Sequence, residues 1–102
     1  MQASEKRKIE FDQRLEQSKS LLDKSRLVEA EKHTLKLLED FPDNAEALYV
    51  LAVCQRYLNR LEAALKTLKK LKNIRPGYGR AFQEEGHVCV KAGYISQAKS
   101  AY

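Results

Sequence analysis

The strongest indication of the fold is the stretch DNAEALYVLAVCQRYLNRLEAALKTLKKLKNIRP, residues 43–76. Its apolar residues recur every three or four positions, in two runs separated by a short polar break. The first run is Leu48, Leu51, Ala52 and Leu58, and the second is Leu61, Ala64, Leu65, Leu68 and Leu71. Because this spacing places side chains on one face of a helix, the stretch predicts two antiparallel amphipathic helices.

Capping residues predict where these helices begin. Asp43 with Glu46 predicts an N-terminal capping box for the first helix, and Asn59 with Glu62 predicts one for the second. The same reading of the whole chain predicts helices at 5–24, 26–41, 44–58, 60–73, 78–92 and 95–102. Gly93 is expected to separate the last two of these helices.

The pattern repeats along the chain with a period of about 34 residues. The coinciding positions are Ser18, Ala52 and Gly86, then Ala30, Ala64 and Ala98, then Pro42 and Pro76. A period of this length is typical of an array in which each unit is one helical hairpin. Small residues at coinciding positions would let neighbouring helices approach closely, where larger side chains would overpack the crossing.

These residues resemble the tetratricopeptide repeat (TPR) over residues 11–102. The matching positions are Leu48, Leu51, Ala52, Ala64, Leu68 and Pro76 in the middle unit and Phe82, Gly86, Gly93, Ala98 and Tyr102 in the last. The resemblance implies an all-α, right-handed α-α superhelix of about two and a half hairpins. The expected single domain covers 1–102, with an N-terminal helical extension at 1–10, a degenerate first repeat at 11–44, a second repeat at 45–78 and a truncated third repeat at 79–102.

The resemblance also implies a non-catalytic protein–protein interaction module. In TPR arrays the first helix of each unit lines a concave groove that holds a partner segment. Carried over to this chain, the groove residues are Leu15, Lys19 and Leu22, then Tyr49, Val50, Val53, Arg56 and Tyr57, and then Arg80, Gln83, Glu84, His87 and Lys91. A TPR subtype that clamps terminal carboxylates is disfavoured, because Leu15, Val50 and Glu84 do not fit that clamp.

Two other functions stay open at this point. Residues 56–80 carry a local charge of +7, and clustered lysines such as Lys66, Lys69 and Lys70 are the electrostatic footprint of nucleic-acid binding. We expect a solvated convex face instead, because the band lacks interleaved aromatic residues. The stretches AVCQRYLNRLEAAL and YGRAFQEEGH loosely resemble TPR arms that precede a sulfotransferase domain in some bacterial proteins. That likeness implies a docking or substrate-presenting arm of a longer enzyme.

Catalysis, cofactors and metals are not expected within this chain. His33 and His87 have no catalytic motif around them, and the sequence contains no phosphate-binding glycine loop. Cys54 and Cys89 are too few for a disulfide framework, which favours a reduced, cytoplasmic protein. The third unit ends before a capping helix, so we expect either a fragment of a longer protein or an end face that a second copy covers.

Overall fold

The computed structural model describes residues 3–100, with side chains described for residues 5–93. The described chain forms five helices and no strand: α1 (Ala3–Asp23), α2 (Leu27–Asp40), α3 (Ala45–Tyr57), α4 (Leu61–Ile74) and α5 (Gly79–Ser100). Helices α1 and α2 form one hairpin, α3 and α4 form a second, and α5 follows alone. The prediction of an all-α array of helical hairpins is therefore confirmed.

The helices pack in two layers. Each helix contacts the next along the chain, and in addition α1 contacts α3 and α3 contacts α5. Across residues 3–100, α2 and α4 have no Cα atoms within 8 Å of each other. The radius of gyration is 15.0 Å, against about 13 Å for a compact domain of this length. The molecule is thus an elongated array, with α1, α3 and α5 side by side in what we call the inner row.

The two hairpin turns repeat the same backbone geometry. Ser25 and Asn59 occupy equivalent positions in the first and second repeats, and both adopt left-handed φ values, of 60° and 62°. In each turn the next residue donates its backbone N–H to the carbonyl five residues earlier, at 2.9 and 2.8 Å. These bonds define a Schellman motif, which satisfies the free carbonyls at a helix end. Asn59 therefore closes α3, and the prediction that it caps the start of α4 is wrong.

The predicted cap of α3 is shifted by one residue. The side-chain Oδ1 of Asn44, rather than Asp43, accepts the backbone N–H of Ala47 at 3.1 Å. Asn44 has the extended backbone that an N-cap requires, with φ −80° and ψ 119°.

Gly93 does not separate two helices, so the prediction of a distinct helix at 95–102 is wrong over the described residues. Helix α5 passes through Gly93 and continues to Ser100, and no glycine has a positive φ within residues 3–100. Glycine permits a left-handed turn but does not impose one. A Cβ built on Gly93 meets no heavy atom within 4 Å, so packing among the described residues does not require a glycine there.

Small residues fill most of the crossings where they were predicted. Ser18, Ala30, Ala52 and Ala64 are fully buried between helices. Gly86 is exposed, because no helix of the described chain packs on that side of α5. Ala98 lies outside the residues whose side chains are described. The core consists of two apolar clusters, and α3 contributes to both of them.

Candidate partner-binding surface

Most of the predicted groove residues keep solvent-exposed atoms on α1, α3 and α5, the helices of the inner row. Exposed side chains are those of Tyr57, Arg80, Gln83 and His87, and partly exposed ones are those of Lys19, Leu22, Tyr49, Arg56 and Lys91. Leu15, Val50, Val53 and Glu84 are buried and pack between helices. These four buried residues therefore hold the helices of the inner row together, and the other predicted residues have side-chain atoms accessible to a partner.

A buried ion pair joins α3 to α5. The guanidinium of Arg56 donates two hydrogen bonds to the Glu84 carboxylate, one of them from Nη2 to Oε1 at 3.2 Å. The Glu84 side chain is 3% exposed and that of Arg56 is 18% exposed. Hydrogen bonding to Glu84 raises the pKa of Arg56 above its ordinary value, against the opposing effect of burial. Lys91 Nζ donates to the Arg56 carbonyl at 2.9 Å and extends this link.

A second ion pair joins α1 to α3 at the other side of the inner row. Lys19 Nζ lies 3.7 Å from a carboxylate oxygen of Glu16 and 3.7 Å from one of Glu46. These side chains are partly exposed, so the pair contributes little stability but fixes where the ammonium group lies. The positive charge of Lys19 is therefore already paired with carboxylates in the unbound protein.

The ring of Tyr49, on α3, contacts both another aromatic ring and a charged guanidinium group. Its ring meets Tyr78 edge to face at 6.3 Å, and the Arg80 guanidinium lies 5.7 Å from its centroid. Burial, followed by the nearby Glu84 carboxylate, raises the pKa of Tyr49 above its ordinary value. The hydroxyl therefore stays protonated at neutral pH and is available as a hydrogen-bond donor.

A hollow opens between the C-terminal ends of α1 and α3. Its volume is about 400 Å³, and its lining residues are Leu22, Asp23, Ser25, Leu27, Val53 and Tyr57. The Arg56 guanidinium lies 4.5 Å from the centroid of the Tyr57 ring, a cation–π contact that holds the ring in place. Leu22, Val53 and Tyr57 were predicted groove residues, and the structure brings these three together.

A more polar cleft of about 530 Å³ lies at the opposite end of α3. Its lining residues are Asp43, Asn44, Ala45, Glu46, Ile74, Arg75, Tyr78 and Arg80. Only Arg80 was predicted, because the others belong to the α2–α3 and α4–α5 turns, to the first residues of α3 or to the last residue of α4. Pro76 and Gly77 predict a turn between α4 and α5, but the sequence does not show that this turn lies next to the α2–α3 turn.

The lysines of α4 face away from the inner row. Lys66, Lys69 and Lys70 are exposed and form no ion pair within residues 5–93. Lys72 instead binds the Glu85 carboxylate and lies 5.3 Å from the ring centroid of Phe82. The opposite face of α4 buries its apolar residues against α3.

The histidines and cysteines occupy separate environments. Ser18 Oγ donates to His33 Nδ1 at 2.7 Å, and His33 Nε2 donates to Gln17 Oε1 at 3.1 Å. Burial raises the pKa of the Cys54 thiol to about 11, whereas Cys89 is exposed. Over residues 5–93, no three His, Cys, Asp or Glu side chains are grouped so that they could hold a metal ion. Of the helices between residues 3 and 100, none has both the length and the hydrophobicity for a membrane crossing.

Comparison with known protein families supports the repeat pattern. The tetratricopeptide repeat family model matches residues 21–85, from the end of α1 into α5. No curated protein and no solved structure matches the chain significantly. Nothing in these comparisons supports the resemblance to the arms of sulfotransferase proteins.

Proposed function

The chain belongs to the tetratricopeptide repeat family, whose domains generally mediate protein–protein interaction, and we propose that it binds a partner segment along its inner row. The partner is a peptide segment that crosses α1, α3 and α5, and the chain itself supplies contacts rather than chemistry. The residues offered to it are those of the predicted groove that keep exposed atoms.

The hollow between α1 and α3 is the observation that carries this proposal. About 400 Å³ is enough to take a large apolar side chain, and the walls are formed by Leu22, Leu27, Val53 and Tyr57. Tyr57 is 51% exposed beside this hollow, so its ring offers area that a partner side chain would bury. Buried aromatic anchors of this kind supply much of the binding energy at protein interfaces.

Polar groups elsewhere on the inner row would give the contact direction. On the α5 side, Arg80, Gln83 and His87 are exposed, and the Arg80 guanidinium lies 5.7 Å from the centroid of the Tyr49 ring. An apolar anchor surrounded by hydrogen-bonding groups is the usual anatomy of a specific interface. Arg56 and Glu84 contribute indirectly, because their ion pair keeps α5 against α3.

The test is selection from a displayed peptide library on the immobilised protein. Wild type should enrich peptides that share an apolar residue, and Tyr57→Ala together with Arg80→Ala should reduce their affinity at least about tenfold, as loss of an anchor does. Leu35→Ala is the matched control, since Leu35 is 45% exposed on α2, outside the inner row. Equal binding by the control, the double variant and the wild type would move the site away from this surface.

Polyanion binding by α4 is a second candidate, favoured by its three exposed lysines without ion pairs among the described residues. Phosphate contacts release counterions, so binding would weaken steeply with salt. A gel-shift titration with a duplex and a single strand tests it, and replacing Lys66, Lys69 and Lys70 by glutamine should abolish any complex. No complex at low salt eliminates this candidate.

A further inference from the structure

The polar cleft at the N-terminal end of α3 brings two arginine side chains to one cavity. This cleft, which we call the turn cleft, lies between the α2–α3 and α4–α5 turns, and its lining includes Arg75 and Arg80. Both side chains are exposed, and neither forms an ion pair within residues 5–93. Asp43 lines the same cleft but is not paired with either guanidinium group. The charges of the two arginines are therefore left unbalanced in this part of the chain.

Other arginines show how this molecule balances a single guanidinium group. Each of them binds one carboxylate, and the pairs are Arg14–Asp40, Arg26–Glu29, Arg56–Glu84 and Arg60–Glu31. By the same rule, one carboxylate would balance only one of the two arginines in the turn cleft. A phosphate monoester carries a charge of about −1.5 to −2 at pH 7 and has three acceptor oxygens. It therefore matches two guanidinium groups in both charge and hydrogen-bonding capacity.

Aromatic rings hold both guanidinium groups in place. The Arg75 guanidinium lies 5.8 Å from the centroid of the Tyr78 ring. The Arg80 guanidinium lies 5.7 Å from the centroid of the Tyr49 ring, and the two rings meet edge to face at 6.3 Å. A guanidinium group over a ring keeps the N–H donors at its edge available. The aromatic pair thus positions two sets of donors before a ligand binds, which reduces the entropy cost of binding.

The repeat fold does not require arginine at either position. One repeat period earlier in the chain, Arg75 and Arg80 correspond to Phe41 and Glu46. Phe41 is aromatic and Glu46 carries the opposite charge, although the helices of the two repeats begin and end at equivalent places. Packing of the repeats therefore does not explain why this turn has two arginines.

A second cavity of about 530 Å³ adjoins the turn cleft. The two cavities share Ile74, Arg75 and Tyr78, and the second one adds Pro76 and Gly77. Ile74 is 36% exposed, so a ligand with apolar atoms beside its phosphate would bury additional apolar area there. The cavities together favour a phosphate that is attached to a longer segment over a free phosphate ion.

We propose that the turn cleft binds a phosphorylated side chain of the partner segment, with Arg75 and Arg80 donating to the phosphate oxygens. The proposal rests on the proposed function, because the phosphate is carried by the segment that the inner row binds. Asp43 opposes the phosphate through like-charge repulsion, whereas the charge of Glu46 is already balanced by Lys19.

Fluorescence anisotropy with labelled degenerate peptides tests the site on the full chain. Four peptide pools differ only in one fixed central residue, which is serine, glutamate, phosphoserine or phosphotyrosine. At least one phosphorylated pool should bind about tenfold more tightly than the serine pool, as expected for charge-assisted hydrogen bonds from two guanidinium groups. The glutamate pool should gain much less, and an equal gain would indicate a carboxylate site and overturn the proposal.

Competition with inorganic phosphate distinguishes the source of the phosphate group. Unlabelled phosphorylated peptides should displace the labelled pool, whereas inorganic phosphate at the same concentration should not. Equal displacement by both would assign the turn cleft to a free phosphate ion and overturn the proposal of a phosphorylated side chain.

Three single variants test the residues of the site. Arg75→Gln should remove the preference for phosphorylated peptides. Lys70→Gln makes the same change of charge at an exposed position of α4 that does not line the cleft, so it should keep the preference. Asp43→Asn should raise the affinity for the phosphorylated pool by up to about fivefold, the effect of one exposed charge. An unchanged preference in Arg75→Gln, or a weaker one in Asp43→Asn, contradicts the proposed geometry.

The ratio of the two affinities separates this proposal from the proposed function. Tyr57→Ala should weaken the serine and the phosphorylated pools alike, because the hollow lies at the other end of α3. A protein that binds the serine pool without preferring phosphate overturns the phosphate site and leaves the inner row as a peptide-binding surface. A protein that binds none of the pools overturns both.

Discussion

The ion pair between Arg56 and Glu84 gives the sharpest test of how the inner row is held together. Replacing Arg56 by methionine keeps an unbranched apolar stem but removes the guanidinium group and its charge. Glu84, 3% exposed, would then be a buried carboxylate without its partner. Removing one member of a buried pair typically costs about 3–5 kcal/mol. Because Arg56 keeps 18% exposure, we expect about 3 kcal/mol, the lower end of that range.

The measurement is urea unfolding followed by circular dichroism. For a chain of this size the free energy of unfolding changes by about 1–2 kcal/mol per molar urea, so the midpoint of Arg56→Met should fall by about 2 M. Arg26→Met is the matched control, because the Arg26–Glu29 pair is exposed on both sides and should contribute less than about 1 kcal/mol.

The double variant Arg56→Met/Glu84→Met separates charge burial from lost packing. Apolar residues of similar size often replace a buried pair without loss, so we expect the double variant to lie within about 1 kcal/mol of wild type. If Arg56→Met costs no more than Arg26→Met, the pair does not hold α5 against α3. Arg56, which keeps 18% exposure, would then be free for a partner, as the sequence pattern predicted.

Three further predictions concern packing, pH and thiol reactivity. Ala64→Leu should destabilise the protein by about 1–3 kcal/mol in the same assay, because Ala64 is fully buried at a helix crossing. Burial, with Arg14 and Lys36, lowers the pKa of His33 below 6.5. As the pH falls, His33 is therefore protonated in the unfolded chain before it is protonated in the folded one. The free energy of unfolding should be at its maximum above about pH 6.5 and should fall as the pH drops toward 5. Cys89 should react at once with a thiol reagent, and Cys54 only after unfolding.

Control variants accompany the predictions on packing and on pH dependence. Ala63→Leu, one position away and partly exposed, should change stability by less than about 0.5 kcal/mol, as surface substitutions do. His33→Gln should flatten the pH dependence between pH 5 and 7, whereas His87→Gln, at an exposed position, should retain it. Equal slopes in both histidine variants would place the titrating group elsewhere.

The hairpin plan was predictable because burial repeats with the helical period. Ala30 and Ala64 are fully buried at equivalent positions of successive repeats, and the helix ends lie within a few residues of prediction up to α4. The turns were harder, since the local pattern does not show the sign of φ. Asn59 suits an N-cap and a left-handed C-terminal position equally well. Gly93 stands where the two earlier turns are left-handed, yet α5 is continuous there.

The surface was only partly predictable for a different reason. The helical pattern indicates which side of a helix faces the groove, but not how far a neighbouring helix covers it. Val50 and Leu15 lie on that side and are buried where α1 meets α3. Glu84 carried a usable signal, because it is an acidic residue at the position equivalent to buried Val50. A carboxylate at such a position requires an opposite charge nearby, and Arg56 provides it.

Helix α3 touches all four of the other helices, and this has a consequence for how the protein unfolds. Most of the packing between the first hairpin and the α4–α5 end of the array therefore runs through these 13 residues. Opening of α1 or α5 alone leaves most of the core intact, whereas loss of α3 separates the remaining elements at once. Amide protons in α3 should therefore exchange only through global unfolding, while those of the terminal helices exchange through smaller, local openings.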